Sequence, residues 1–155
     1  FSGILVLPLL AYGMTFLALL CILLSGYFDT LDGTVARISG KSSPQGAVLD
    51  IFCDRVVEFS IILGIYLIDP QSRGLLSLMM LGSSLMCVTS FLTVGIFTEN
   101  ESKKGFHYSP GLIERGEAFL FFISIILFPS FFSILALVFS ILVIFTALIR
   151  IYEFS

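Results

Sequence analysis

Long runs without charge constrain this chain more than any other feature of its sequence. Residues 1–28, 74–98 and 118–149 contain no charged side chain, and the last run is 32 residues long. About 20 apolar residues in a helix cross the hydrocarbon core of a bilayer. Only 12% of the residues are charged and the mean hydropathy is +1.08, whereas a soluble domain carries roughly 25% charge. We therefore predict an all-α, polytopic transmembrane helix bundle.

Interruptions within the apolar sequence set the expected number of spans. Pro129 divides the last run nearly in half, because proline cannot continue the hydrogen bonding of a helix. Pro8 and Gly13 are candidates for a bend in the first run, and the turn-rich stretch 39–46 should end a helix. Five spans are expected in one domain covering residues 1–155: 4–28, 47–68, 74–98, 113–129 and 131–150.

The basic residues predict the orientation in the membrane. If the spans alternate in direction, seven of the eight Lys and Arg residues lie on one side and Arg73 alone lies on the other. Loops rich in Lys and Arg stay in the cytoplasm. We therefore expect an integral, multi-pass protein with residues 29–54 at the cytoplasmic face, of the inner membrane if the source is bacterial. No basic face of the kind that binds nucleic acid is present.

Four aspartates follow the first apolar run in two helical pairs. Asp29 and Asp32 are three residues apart, and Asp50 and Asp54 are four apart, so each pair shares one helix face. A charged side chain at the bilayer centre costs on the order of 3 kcal/mol. Two antiparallel helices would bring these carboxylates together, and a set of hard oxygen ligands suits magnesium, manganese or calcium rather than zinc. We predict a divalent metal site formed by all four aspartates.

Small residues and one arginine share the faces that carry the aspartates. Gly33, Ala36 and Gly46 lack side-chain bulk, which leaves room for a ligand close to the backbone. Arg37 adds a planar cation that suits a phosphate group. Together with the acids, these residues indicate a pocket for a phosphorylated substrate whose charge is bridged by metal ions.

The same positions resemble the signature of a known enzyme family. The pattern is Asp29-x2-Asp32-Gly33-x2-Ala36-Arg37-x8-Gly46-x3-Asp50-x3-Asp54. It is similar in all eight fixed positions to the signature of the class I CDP-alcohol phosphatidyltransferases. The resemblance implies a fold of six transmembrane helices, the first of which is expected to lie outside this chain, and it implies a homodimer.

The resemblance also implies a reaction and a role for each residue. A phosphatidyl-type group would pass from a CDP-linked lipid, such as CDP-diacylglycerol, to the hydroxyl of a small polar alcohol, with release of CMP in phospholipid synthesis. Two Mg²⁺ or Mn²⁺ ions are expected. Asp54 would contact metal and act as general base. The other implied metal ligands are Asp29, Asp32 and Asp50. The implied CDP-binding residues are Asp29, Asp32, Gly33, Ala36, Arg37 and Gly46.

The acceptor alcohol stays open, with glycerol phosphate, serine and inositol phosphate among the candidates. Lys103 and Lys104 could bind an acidic acceptor, although a solvated cytoplasmic loop is the simpler explanation for them. Lys41 and Arg115 are the other candidates for acceptor binding.

Three other interpretations of the aspartates remain. The chain could be a membrane transporter that binds a divalent cation through these carboxylates. The small residues and Arg37 beside the acids argue against that alternative. An inactive member of the family is a second possibility. In the third interpretation, Asp29 and Asp32 are solvated, while Asp50 and Asp54 form ion pairs with Arg37 and Arg55.

Overall fold

The computed structural model describes residues 2–38, 44–97 and 115–154, with the side chains of residues 32–38 and 44 excepted. These ranges contain helices and no strand, which confirms the all-α prediction. The helices are α1 (Val6–Ala11), α2 (Thr15–Ile38), α3 (Pro44–Ile68), α4 (Pro70–Phe97), α5 (Arg115–Leu127) and α6 (Phe132–Phe154), with a 3₁₀ turn at Pro129–Phe131.

The stretch predicted as the first span, 4–28, is divided between two helices. Helix α1 ends at Ala11 and α2 begins at Thr15. Between them Gly13 has a φ of 75°, in the left-handed region that glycine enters without steric cost. The Gly13 and Met14 N–H groups donate to the Leu10 and Leu9 carbonyls, at 3.0 and 2.8 Å. Helix α2 then continues to Ile38, so one helix carries the first half of the signature.

Proline marks the other two turns of the described chain. Pro129 opens the 3₁₀ turn that separates α5 from α6, at the break that the sequence predicted. Pro70 begins α4, and Asp69 before it caps the helix: its carboxylate accepts from the Ser72 hydroxyl at 2.6 Å and the Ser72 N–H at 3.3 Å. Those hydrogen bonds lower the pKa of the exposed Asp69 carboxyl. The chain therefore reverses tightly between α3 and α4.

Apolar side chains form both the core and much of the surface of the bundle. Helix α4 packs along α6, α1 packs on α2 and α3, and α5 contacts α2, α3 and α6. Fully buried core side chains include Ile22, Ile61, Met80, Phe122 and Phe139. The buried polar side chains include Glu58, Arg73, Arg150 and several serines, while large apolar side chains are exposed on each of the helices α2 to α6. An apolar outer surface with polar side chains buried inside is typical of a bundle that faces lipid.

Two helical segments can cross a membrane on length and composition alone: Pro70–Phe97 and Pro129–Phe154. A shorter apolar stretch, Thr15–Leu31, precedes the signature. In α3 the apolar character is interrupted by four charged residues on its first turns. Those charges mark the end of the bundle where the candidate site lies.

Candidate active site

Helices α2 and α3 bring three of the four signature aspartates together. Carboxylate oxygens of Asp29, Asp50 and Asp54 all lie within 4.8 Å of one another. Asp50 and Asp54 occupy successive turns of α3, and Asp29 lies in the second half of α2. The side chain of Asp32 lies outside the described part of the structure, so its role as the fourth ligand stays a prediction.

The three carboxylates fit a hard divalent cation. Mg²⁺ binds oxygen at about 2.1 Å, so two ligands on opposite sides of one ion lie about 4.2 Å apart. The observed limit of 4.8 Å is close to that value. Asp29 and Asp54 are partly buried and Asp50 is exposed, so an ion held here would keep access to solvent and substrate. The cluster could therefore hold a metal.

Arg115, the first residue of α5, bridges two of these aspartates. Its Nη1 donates to Oδ1 of Asp54 at 2.7 Å and forms an ion pair with Asp29. Its guanidinium carbon lies 5.7 Å from the centre of the Phe119 ring, one turn later, which adds a cation–π contact. The sequence indicated Arg115 only as a candidate for acceptor binding. The structure places it directly on the aspartate cluster.

The described ion pair of Arg55 is not the one with Asp50 or Asp54 that one interpretation of the sequence expected. Arg55 pairs with Glu58, three residues later on α3. The Ser84 hydroxyl of α4 donates to the other oxygen of Glu58 at 2.5 Å. Glu58 is only 9% exposed. Asp54 takes its described ion pair from Arg115 instead, so a guanidinium from another helix reaches the signature.

A cavity of about 350 Å³ adjoins the aspartates. Its charged lining consists of Asp50, Asp54, Glu58, Arg55, Arg115 and Arg150. Phenylalanines and other apolar side chains from α4, α5 and α6 complete the wall. This volume lies in the range of small-molecule sites. Its carboxylates could hold metal, and its three guanidinium groups suit phosphate oxygens.

Arg150 is a site residue that the sequence did not indicate. It lies near the end of α6, more than nine-tenths buried, and its Nη1 is 3.4 Å from both the carbonyl oxygen and the Sγ of Cys87. The guanidinium carbon lies 5.3 Å from the centre of the Phe91 ring. In the sequence, Arg150 is recognisable only as a basic residue at the end of an apolar run. Glu58 was also missed as a site residue, although it continues the four-residue spacing of Asp50 and Asp54.

A second cavity, about 340 Å³, lies between α2 and α5. It is lined by Ile22, Leu23, Gly26, Asp29, Thr30, Arg115, Gly116, Phe119, Leu120 and Ile123. Apolar side chains make up most of this wall, while Asp29 and Arg115 add charge. Arg115 and Phe119 line both cavities. These two side chains therefore lie between the mainly apolar cleft of α2 and α5 and the charged cavity.

Several predicted site residues are placed only in part. Gly46 lies exposed on α3, one turn before Asp50. Gly33, Ala36 and Arg37 lie on α2, in the part of the helix where only the backbone is described. Lys41, Lys103 and Lys104 lie outside the described residues. The CDP-binding and acceptor-binding roles of these residues stay predictions.

The family model for CDP-alcohol phosphatidyltransferase matches residues 1–152. This chain belongs to the CDP-alcohol phosphatidyltransferase family. The match extends the resemblance from the signature to nearly the whole chain, and it makes this phosphatidyltransferase domain a member of a membrane-integral family. The prediction of a membrane helix bundle is confirmed. The assignment also favours phosphatidyl transfer over cation transport.

Individual relatives are identical to this phosphatidyltransferase at about three in ten of the aligned positions. It is 31% identical over 158 residues to "Inner membrane protein YnjF" of Escherichia coli K12, covering 97% of this chain and 76% of that protein. It is 29% identical over 133 residues to a phosphatidylinositol phosphate synthase of Mycobacteroides abscessus, covering 86% and 60%. A phosphatidylinositol phosphate synthase of Corynebacterium glutamicum is 32% identical over 96 residues, covering 58% and 41%.

Proposed function

We propose that this protein transfers a phosphatidyl group from CDP-diacylglycerol to a hydroxyl of a phosphorylated polyol and releases CMP. The observation that carries the proposal is the charged cavity, which is lined by Asp54 together with Arg55, Arg115 and Arg150. Guanidinium groups match phosphate oxygens in charge and planar geometry. Two of the relatives are named phosphatidylinositol phosphate synthase, so an inositol phosphate is the first acceptor to test.

The charge balance of the cavity supports an acceptor that is itself anionic. Three acids and three arginines line it. Divalent ions bound by the aspartates would neutralise those carboxylates, so the arginines would attract an anionic ligand. An uncharged alcohol could not form the charge-assisted hydrogen bonds that a phosphate would form with these guanidinium groups.

Asp29, Asp50 and Asp54 would hold the divalent metal, Mg²⁺ or Mn²⁺, with Asp32 as fourth ligand and room for two ions. When bound, such ions neutralise the pyrophosphate and stabilise the charge that develops during phosphoryl transfer. The residues of the CDP subsite would be Asp29 and Asp32 with Gly33, Ala36, Arg37 and Gly46, as the signature implies.

Asp54 would accept the proton of the acceptor hydroxyl. The hydroxyl oxygen then forms a bond to the lipid-side phosphorus, the bond from that phosphorus to the bridging oxygen breaks, and CMP leaves with the electron pair. An aspartate is a weak base for an alcohol. Much of the rate must therefore come from positioning, which can reduce the barrier by about 7–11 kcal/mol in favourable cases. Arg115, bonded to Asp54 at 2.7 Å, would fix the orientation of that carboxylate.

The cleft between α2 and α5 suits the lipid part of the donor. It is mainly apolar and includes Asp29 and Arg115. A CDP-linked lipid placed there would keep its pyrophosphate at the aspartates and its acyl chains toward the bilayer. We further propose that the chain forms five spans, with the site at the cytoplasmic face, and works as a homodimer.

The test is CMP release from CDP-diacylglycerol by the purified protein in liposomes. The acceptor panel contains inositol 1-phosphate, glycerol 3-phosphate, serine and unphosphorylated inositol, each with Mg²⁺, with Mn²⁺ or with EDTA. We expect metal-dependent release with a phosphorylated polyol and none with EDTA. The absence of CMP under every condition, together with uptake of Mn²⁺ into the liposomes, would overturn the proposal in favour of cation transport.

A further inference from the structure

We infer that Glu58 is a positioning residue of the acceptor cavity: it holds the guanidinium of Arg55 toward the anionic group of the acceptor and away from the signature aspartates. The inference rests on the proposed function, because it assigns the anion to the acceptor. The family signature ends at Asp54, so the signature gives Glu58 no role.

The position of Glu58 suits that role. It lies one turn beyond Asp54 on the same face of α3, and both side chains line the charged cavity. Glu58 is more than nine-tenths buried. A carboxylate buried to this degree is stable only when donors surround it. Ser84 and Arg55 supply those donors, one to each oxygen.

Arg55 directly follows Asp54 in the chain, and Asp50, Asp54 and Glu58 line the same cavity. Its described ion pair is with Glu58. The guanidinium has five N–H donors, more than one carboxylate accepts, and the Arg55 side chain is 39% exposed. Glu58 therefore fixes the direction of the Arg55 side chain while donors remain for a ligand. Without that carboxylate, Arg55 would be drawn to Asp54 and Asp50 and would compete there with metal.

Ser84 ties this pair to a second helix. Its hydroxyl donates from α4 to Glu58 at 2.5 Å, and Ser84 is 6% exposed. The preceding residue, Ser83, is buried to a similar degree, but its hydroxyl donates to the Met80 carbonyl of its own helix at 2.8 Å. Ser84 lines the cavity, whereas Ser83 is not part of its lining. Ser84 therefore donates a hydrogen bond to Glu58, whereas Ser83 does not and serves as its matched control.

The experiment measures acceptor KM and kcat of the full chain in liposomes, with saturating CDP-diacylglycerol and inositol 1-phosphate as acceptor. Glu58→Gln should raise the acceptor KM about tenfold, as expected for a lost charged hydrogen bond, and change kcat less than about threefold. Glu58→Asp keeps the charge, and its KM should lie closer to that of the wild type. Ser84→Ala should raise KM, and Ser83→Ala should not.

An unchanged KM in Glu58→Gln, or a fall in kcat at constant KM, would overturn the inference. If Glu58→Gln does not fold, the serine pair decides: equal KM values for Ser84→Ala and Ser83→Ala contradict it. If the wild type uses no phosphorylated acceptor, the proposed function fails separately. Binding of inorganic phosphate, measured by calorimetry, then replaces KM, and equal affinity in wild type and Glu58→Gln would refute the role of Glu58.

Discussion

Nη1 of Arg115 lies 2.7 Å from Oδ1 of Asp54, and the same guanidinium pairs with Asp29. This contact joins the start of α5 to the signature on α2 and α3. It also uses carboxylate oxygens that a divalent cation would require, because Asp29, Asp50 and Asp54 converge within 4.8 Å. The Arg115 guanidinium and a bound cation would therefore compete for the same carboxylates and repel each other.

Replacing Arg115 should strengthen metal binding. Arg115→Met removes a positive charge from the cluster, so the affinity for Mn²⁺ without substrate should rise by about tenfold, equivalent to about 1.4 kcal/mol. Arg115→Lys keeps the charge and should remain near the wild-type value. Mn²⁺ titration followed by electron paramagnetic resonance measures both variants. Weaker binding in Arg115→Met would show that Arg115 chiefly organises the carboxylates.

Asp54→Asn should remove the proposed general base while changing the size of the side chain little. Turnover should fall by at least about 100-fold, the lower range for general acid–base catalysis. Binding of CDP to the full chain, measured by calorimetry with Mn²⁺ present, should remain substantial. Loss of CDP binding along with turnover would instead make Asp54 mainly a metal ligand.

Arg150→Gln should weaken a phosphorylated acceptor selectively. The acceptor KM for inositol 1-phosphate should rise about tenfold or more, with a smaller effect on any turnover of unphosphorylated inositol. The matched control is Arg73→Gln, since Arg73 is also more than nine-tenths buried and stacks on a phenylalanine, Phe132, but lies outside the charged cavity. Equal changes in KM for the two variants would mean that Arg150 has only a structural role.

Gly64→Ala should destabilise the contact between α1 and α3. A Cβ there would lie 2.9 Å from Cδ1 of Leu10 and 3.3 Å from Cα of Leu7, a backbone atom. Overpacking of this kind typically costs about 1–3 kcal/mol, so the unfolding temperature in detergent should fall. Gly82→Ala is the control, because a Cβ on Gly82 meets nothing within 4 Å. Its unfolding temperature should equal or exceed that of the wild type, and a fall of equal size would refute the packing argument.

The sequence predicted features that depend on one helix and the convergence of aspartates from α2 and α3, but it missed other contacts between helices. The i,i+4 spacing of Asp50 and Asp54 placed them on one face of α3, and the break at Pro129 followed from the chemistry of proline. The sequence indicated a bend at Gly13 but not a complete break, because a bend and a break have the same local pattern. Arg150 and Glu58 were missed because their significance comes from contacts with α4, and periodicity along α3 or α6 does not show which faces meet.

The central claim is phosphatidyl transfer, and the most direct measurement is the lipid product itself. The full-length chain is incubated in liposomes with CDP-diacylglycerol, inositol 1-phosphate and Mg²⁺, and lipids and nucleotides are quantified by mass spectrometry. We predict one new phospholipid, carrying both acyl chains and the acceptor phosphate, for each CMP released, with none from Asp54→Asn. Phosphatidic acid in place of that phospholipid, or no CMP at all with any acceptor, would contradict the account.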